Sequence, residues 1–330
     1  MPVNDLGYRG WNGRRVARIL RPIVVARSGI SLIWRRKWLR MMLVFAWLPV
    51  MLPAFGIFAF EYSSTSPEMK QFVFTLLRGP LQQPELATLV VSDPDAARHE
   101  VWSTLILAFF RYPQLFAMVL LIGLIAPMLV SYDLRTKAYL LYFSRPLSPT
   151  EYIIGKSSVI WFLLSMIVTV PAFMLYCVGV LLSPDLSVVS QTWDIPLRII
   201  AASGVLMIPT TALAVGYSSL TSESRYATFA WFATWAMGFV AYQILTYSAM
   251  VGQRPPRSLR RGRIDYEALG IDVDRWRLLS PYHTLGKVEA WVFDLDPTSA
   301  SVVPSMVMLV SITVIGFWVV RRRLISRLSV

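Results

Sequence analysis

Six stretches of this 330-residue chain (41–60, 114–132, 159–182, 197–220, 228–251 and 302–320) are almost unbroken runs of apolar side chains. Roughly twenty such residues, coiled as helix, cross the ~30 Å hydrocarbon core of a bilayer. No water reaches a backbone N–H or C=O there, so a spanning segment must satisfy its own polar groups, as a helix does. Composition agrees: 55% of residues are hydrophobic and 15% charged, whereas soluble domains carry about 25% charged residues. The fold class that follows is an all-α polytopic membrane protein with about six transmembrane helices. Pro49, Pro53, Pro127, Pro171 and Pro209 lie inside these runs. Neighbouring helices and hydroxyl groups are expected to take up the hydrogen bonds they remove.

An even number of crossings puts both termini on one side. With the amino-terminal tail, the carboxy-terminal tail and the short connections on that side, it carries 19 basic against four acidic side chains, net +15. The other side holds 13 basic and 15 acidic, net −2. The positive-inside rule makes the first side cytosolic. The net charge of +13 is thereby explained by topology, and no nucleic-acid partner is implied. Residues 1–40 are a cytosolic basic segment, in which Val16, Ile19, Leu20, Ile23 and Val24 recur at helical spacing among arginines. This predicts an amphipathic interfacial helix in contact with membrane lipids. Trp34 and Trp38 mark the interface before the first span. No small-residue cleavage site is evident, so the amino terminus is expected to be retained.

Residues 41–330 form the transmembrane domain, with a cytosolic connection at 133–157 and two long outer loops, 61–113 and 252–300. The apolar run 101–110 is too short to span and reads as an interfacial or re-entrant helix, with a seventh crossing as the alternative. In 252–300 a basic cluster (Arg254, Arg257, Arg260, Arg261, Arg263) is followed by Asp265, Glu267, Asp272 and Asp274, as in a folded loop of mixed charge.

Little of the chain can do chemistry. Cys177 is the single cysteine and reads as a small packing residue in an apolar run. His99-Glu100 opens a zinc-protease pattern, but Ser103 stands where the second histidine is required. Gly155-Lys156-Ser157 mimics the end of a phosphate-binding loop, but Thr150 replaces its first glycine. No cofactor is expected in this chain, and no ATP hydrolysis by it. The spans contain hydroxyl, amide and small residues (Ser203, Gly204, Thr210, Thr211, Gly216, Gln243) but no acid, lysine or histidine well inside, as ion-coupled transport would need. Arg198 falls at an outer end, where it can snorkel. An outer-loop enzyme built on His283 with Asp294 or Asp296 is a further alternative.

The connection 133–157 is the patterned part. Ser148-Pro149-Thr150-Glu151 has the form of a capping box with proline at the first helical position, predicting a helix from Pro149 through Tyr152 and Lys156 into the third span. Pro146 disfavours helix at Arg145 and bends the chain before it. The order Asp133, a short basic stretch, Leu140-Leu141-Tyr142-Phe143-Ser144-Arg145-Pro146-Leu147-Ser148, then Glu151-Tyr152 and Gly155-Lys156 resembles the ABC-2 type membrane permeases of bacterial ABC transporters. The six-span layout, the basic amino-terminal helix and the outer loop before the last span are similar too.

The resemblance implies a permease subunit, an exporter in the bacterial cytoplasmic (inner) membrane, paired with a second permease copy in a homo- or heterodimer. A separate cytosolic ABC ATPase subunit would bring ATP and Mg. Carried over, Arg145, Pro146, Glu151, Tyr152 and Lys156 fall where that family couples ATPase to helices. The length of 61–113 departs from the family and leaves the substrate open. The alternative is an ion-coupled secondary transporter or channel.

Overall fold

A computed structural model describes residues 17, 20–63, 65–143, 147–185, 187–252, 273–296 and 299–328. Every regular element among them is helical, and no strand occurs. Helix α1 (Arg21–Trp34) is followed by α2 (Lys37–Phe45), a 3-10 turn at Leu48–Val50 and α3 (Met51–Tyr62). Next come α4 (Pro67–Arg78), α5 (Pro84–Ser92), α6 (Pro94–Leu115), α7 (Ala117–Leu129), α8 (Ser131–Arg135) and α9 (Ala138–Phe143). Helix α10 (Pro149–Leu164) passes through a π turn at Ser165–Thr169 into α11 (Val170–Leu182). The rest is α12 (Ser187–Gln191), α13 (Ile195–Leu220), α14 (Ser224–Gly252), α15 (Val273–Arg277), α16 (Pro281–Val292) and α17 (Ser299–Leu328).

Six helical stretches are long and apolar enough to cross a membrane: Lys37–Tyr62, Ala117–Arg135, Pro149–Leu182, Ile195–Leu220, Ser224–Tyr247 and Val302–Ser326. They coincide with the six apolar runs of the sequence. Lipid is as apolar as leucine, so helices in a bilayer associate through close packing and polar contacts. Both are visible here. A Cβ on Gly316 of α17 would lie 2.6 Å from the Ala212 carbonyl oxygen of α13, so these helices meet at backbone distance. In α7, Pro127 has no N–H for the Gly123 carbonyl four residues earlier. The Thr228 hydroxyl of α14 donates to that carbonyl instead, at 3.0 Å. One turn earlier, the Trp231 indole donates to the Val119 carbonyl at 2.8 Å.

The π turn has a comparable cause. Pro171 offers no N–H to Ile167, and the helix widens just before it. The Trp47 indole of the first span donates to the Met166 carbonyl there at 2.9 Å, and Thr169 donates to Ser203 at 2.8 Å.

The stretch 61–113 carries α4, α5 and most of α6. Near its start, α6 is held by Arg98 on Glu61 and by His99 on Asp194. Near its end, Phe110 packs on Phe293, beside the Val292 carbonyl that Arg198 of the Asp194 cluster also reaches. Helix α6 also packs on the first spanning stretch, where a Cβ on Gly56 would be 3.0 Å from Leu105, and it is not among the six stretches long and apolar enough to cross a membrane. One expectation changes: Cys177 is exposed on α11 and does not pack internally. Arg198 pairs with Asp194 at 2.6 Å, one turn nearer the start of α13, and donates to the Val292 carbonyl at 3.1 Å. The cluster 254–272 lies outside the described residues.

Candidate functional site

The site is where the second span ends and the third begins. Helix α8 closes at Arg135, and the chain turns through Lys137, whose φ of +56° is left-handed, into the short α9. Ser148 then caps α10. Its hydroxyl accepts from the Glu151 N–H at 3.2 Å, and the Glu151 carboxylate accepts from the Ser148 N–H at 2.7 Å. The capping box is complete. It fixes where α10 starts and, through the helical repeat, which side chains face α8.

Tyr152 and Lys156, one turn apart on α10, face inward. The Tyr152 hydroxyl donates to Asp133 Oδ2 at 2.7 Å, and the Lys156 amine approaches the same oxygen at 2.7 Å. Exposure is 6% for Asp133, 1% for Tyr152 and 5% for Lys156. The Lys156 amine also sits 5.5 Å from the ring centres of Tyr142 and Tyr152, and those rings are 5.5 Å apart. Burial, then the nearby Asp133 carboxylate, raises the Tyr142 phenol above its ordinary pKa, partly offset by a hydrogen bond with Ser28 of α1. Removing charge from water here is compensated by ion pairing and hydrogen bonding at one oxygen. The result joins α8, α9 and α10 into one body.

Helix α1 lies across this body. A Cβ on Gly155 would be 2.6 Å from Val25 and 2.9 Å from the Pro22 carbonyl oxygen. Only a residue without a side chain lets α1 settle there. The Gly155-Lys156-Ser157 triplet that mimics a nucleotide loop is thus a helix-packing position next to a buried ion pair. The exposed rim consists of Tyr132, Arg135, Thr136, Lys137 and Leu140, with Thr150 on the α10 side.

Of the residues singled out from sequence, Tyr152 and Lys156 are brought together on Asp133 and Glu151 closes the capping box with Ser148; Arg145 and Pro146 lie outside the described residues. Sequence reasoning missed Asp133 as the partner of two of them, and Tyr142 and Ser28 as the link to α1. The usable signal was an acid at the end of one span facing the only lysine at the start of the next.

A family model described as "ABC-2 family transporter protein" matches residues 23–323. The chain belongs to this family. It is therefore a membrane component of an ABC-2 transporter, and no curated protein sequence matches it.

The opposite end of this ABC-2 chain holds a second polar cluster. Arg111 of α6 lies 3.6 Å over the Tyr282 ring and donates to Gln114 at 2.8 Å. Gln114 donates to Glu289 of α16 at 2.6 Å. Glu289 is fully buried, and its Oε2 makes no hydrogen bond, with Arg111 3.6 Å away. Burial pushes the Glu289 carboxyl up, against the pull of Arg111 and Gln114. Gly286 makes room for the arginine, since a Cβ there would collide with its guanidinium carbon.

His283 stacks on Tyr242 at 3.7 Å and shares a hydrogen bond with Ser280 at 2.8 Å. Burial first, then Arg111 and Arg277, lowers its pKa to about 3, so it is neutral. Asp294 is held by Arg198 and Asp296 by Lys287. His283 and these acids flank opposite ends of α16, roughly 16 Å apart at 1.5 Å per residue. They form no common site. Among the described residues no group of His, Cys, Asp or Glu side chains is placed to hold a metal.

Proposed function

We propose that this chain is the membrane-spanning permease subunit of an ATP-driven exporter in a bacterial cytoplasmic membrane. It works with a second permease copy and with separate cytosolic ABC ATPase subunits, which bring ATP and Mg. The observation that carries the reading is the buried Asp133–Tyr152–Lys156 contact, with both donors 2.7 Å from one carboxylate oxygen. It makes the end of the second span and the start of the third move as one. In this reading the elbow faces the cytosol, on the side carrying the excess of basic residues.

Force applied to the rim formed by Tyr132, Arg135, Lys137 and Leu140 would pass through this body into α7 and α10. Tyr152 and Lys156 are buried, so their role is to position the elbow. Glu151 caps α10, so a charge reversal there would test the cap before it tested docking. By the family resemblance, Arg145 and Pro146 are also assigned to ATPase coupling. Sequence supports the need for a partner, since no nucleotide-binding pattern occurs in the chain.

The test is co-purification from native membranes followed by surface charge reversal. Arg135→Glu with Lys137→Glu should leave the permease folded and abolish co-purification and permease-stimulated ATP hydrolysis by the partner. Transport by the chain alone, driven by an ion gradient in proteoliposomes without ATP, would refute the proposal and favour a secondary transporter or channel.

A further inference from the structure

Helix α1 has two apolar faces with different partners. Val25, Ala26, Gly29 and Ile33 point inward, where a Cβ on Gly29 would be 2.7 Å from Val159. On the opposite face Ile23, Val24 and Trp34 are 59%, 54% and 48% exposed. Around and beyond them lie Arg27, Arg35, Arg36, Lys37 and Arg40, all exposed. No acidic residue occurs between positions 20 and 60, and none of the five cations is ion-paired among the described residues. Three residues after α1 ends, the first spanning stretch begins at Lys37. Bulky apolar side chains beside uncompensated cations at that depth match the boundary between acyl chains and negatively charged headgroups.

We propose that α1 and the start of α2 form a binding surface for anionic phospholipid, and that its occupancy regulates the elbow through the contact of α1 with α10. The first half stands on α1 alone; the second rests on the coupling role proposed above. The mechanical link is short. Gly155 and Gly29 hold α1 on α10 at backbone distance, and Gly155 is adjacent to Lys156 of the buried ion pair. A headgroup drawing Arg27, Arg35 and Arg36 toward the leaflet would load that contact directly.

The full chain would be placed in nanodiscs containing spin-labelled phosphatidylglycerol or spin-labelled phosphatidylcholine, and the immobilised fraction of each compared. The expected result is a several-fold preference for phosphatidylglycerol, declining with each cation removed in Arg27→Gln, Arg35→Gln and Arg36→Gln and reaching parity in the triple variant. The corresponding lysine variants should retain the preference, which separates charge from misfolding. Millimolar inorganic phosphate should not compete, because it lacks the acyl chains that meet Ile23, Val24 and Trp34. Equal immobilisation of the two lipids would overturn the proposal.

In the complex with its ATPase, ATP hydrolysis should rise when phosphatidylglycerol is added to phosphatidylcholine, and this response should vanish in the triple glutamine variant. If that variant instead loses ATPase binding in lipid-free detergent, α1 is a protein-docking surface and the proposal is refuted. Lipid preference without any ATPase partner would uphold the surface while counting against the permease reading; ATP-driven transport without lipid preference would do the reverse.

Discussion

Replacing Lys156 with methionine should cost this protein far more than a surface ion pair is worth. Asp133 and Lys156 are each about 95% buried and 2.7 Å apart. With an effective dielectric constant of about 20, unit charges at that distance attract by roughly 6 kcal/mol. Withdrawing them from water costs several kcal/mol per ion, so the intact pair comes close to breaking even. Deleting one ion keeps the cost of the other. Lys156→Met leaves Asp133 charged and buried with the Tyr152 hydroxyl, and should destabilise by ~3–5 kcal/mol. Adding Asp133→Asn removes the second charge and still offers Tyr152 an amide oxygen, so the double variant should recover most of the loss. Tyr152→Phe removes one hydrogen bond to a charged group and should cost ~1.5–3 kcal/mol. Reversible SDS titration in mixed micelles, followed by circular dichroism, measures all four corners of the cycle. The reasoning fails if Lys156→Met lies within ~1 kcal/mol of the wild type, or if the double variant is no more stable than the single one.

The same titration tests three other features. Thr228→Val should cost ~1–3 kcal/mol by orphaning the Gly123 carbonyl, and much less in a Pro127→Ala background, where residue 127 regains its N–H. Gly316→Ala should destabilise by ~1–3 kcal/mol because its methyl group would meet a carbonyl oxygen of α13. By contrast, Gly204→Ala meets nothing within 4 Å and should be neutral or gain up to ~1 kcal/mol. For His283 the folded pKa of about 3 lies below the ordinary 6.5, so the unfolded chain binds the extra proton first. Its contribution is fully present above pH 6.5 and is lost as pH falls toward 3. Glu289, shifted upward, acts in the opposite sense, losing stability as pH rises above its ordinary value. The difference in melting temperature between the wild type and His283→Gln, measured at pH 7.5 and pH 5, isolates the histidine: the acid-induced drop should shrink in the variant.

Much of the elbow was legible because its signals are local. The capping box is four consecutive residues, Ser148 to Glu151, and the geometry of one helical turn suffices to predict its two hydrogen bonds. Lys156 was legible as a residue of interest but not as a buried one. Its burial depends on Asp133, which belongs to another helix. The cluster around Glu289 was not legible: Gln114 and Glu289 are 175 positions apart, and neither stands in a recognisable pattern. Arg198 shows both sides of this: its pairing with Asp194 is a one-turn contact at the start of α13, whereas its hydrogen bond to the Val292 carbonyl spans 94 positions.

The sequence by itself determined how many helices are long enough to cross a membrane, roughly where each begins, where α10 is capped, and which end carries the positive charge. These are properties of single segments, set by hydropathy, backbone satisfaction and short-range capping. The tertiary structure alone decided what those segments do to one another: that α1 seats on Gly155, that Thr228 repairs the break at Pro127, and that Asp133 gathers Tyr152 and Lys156. Those outcomes depend on helix rotation and register. In a bilayer, apolar surface is equally content against lipid or protein, so small residues and polar contacts, not the apolar runs, set them.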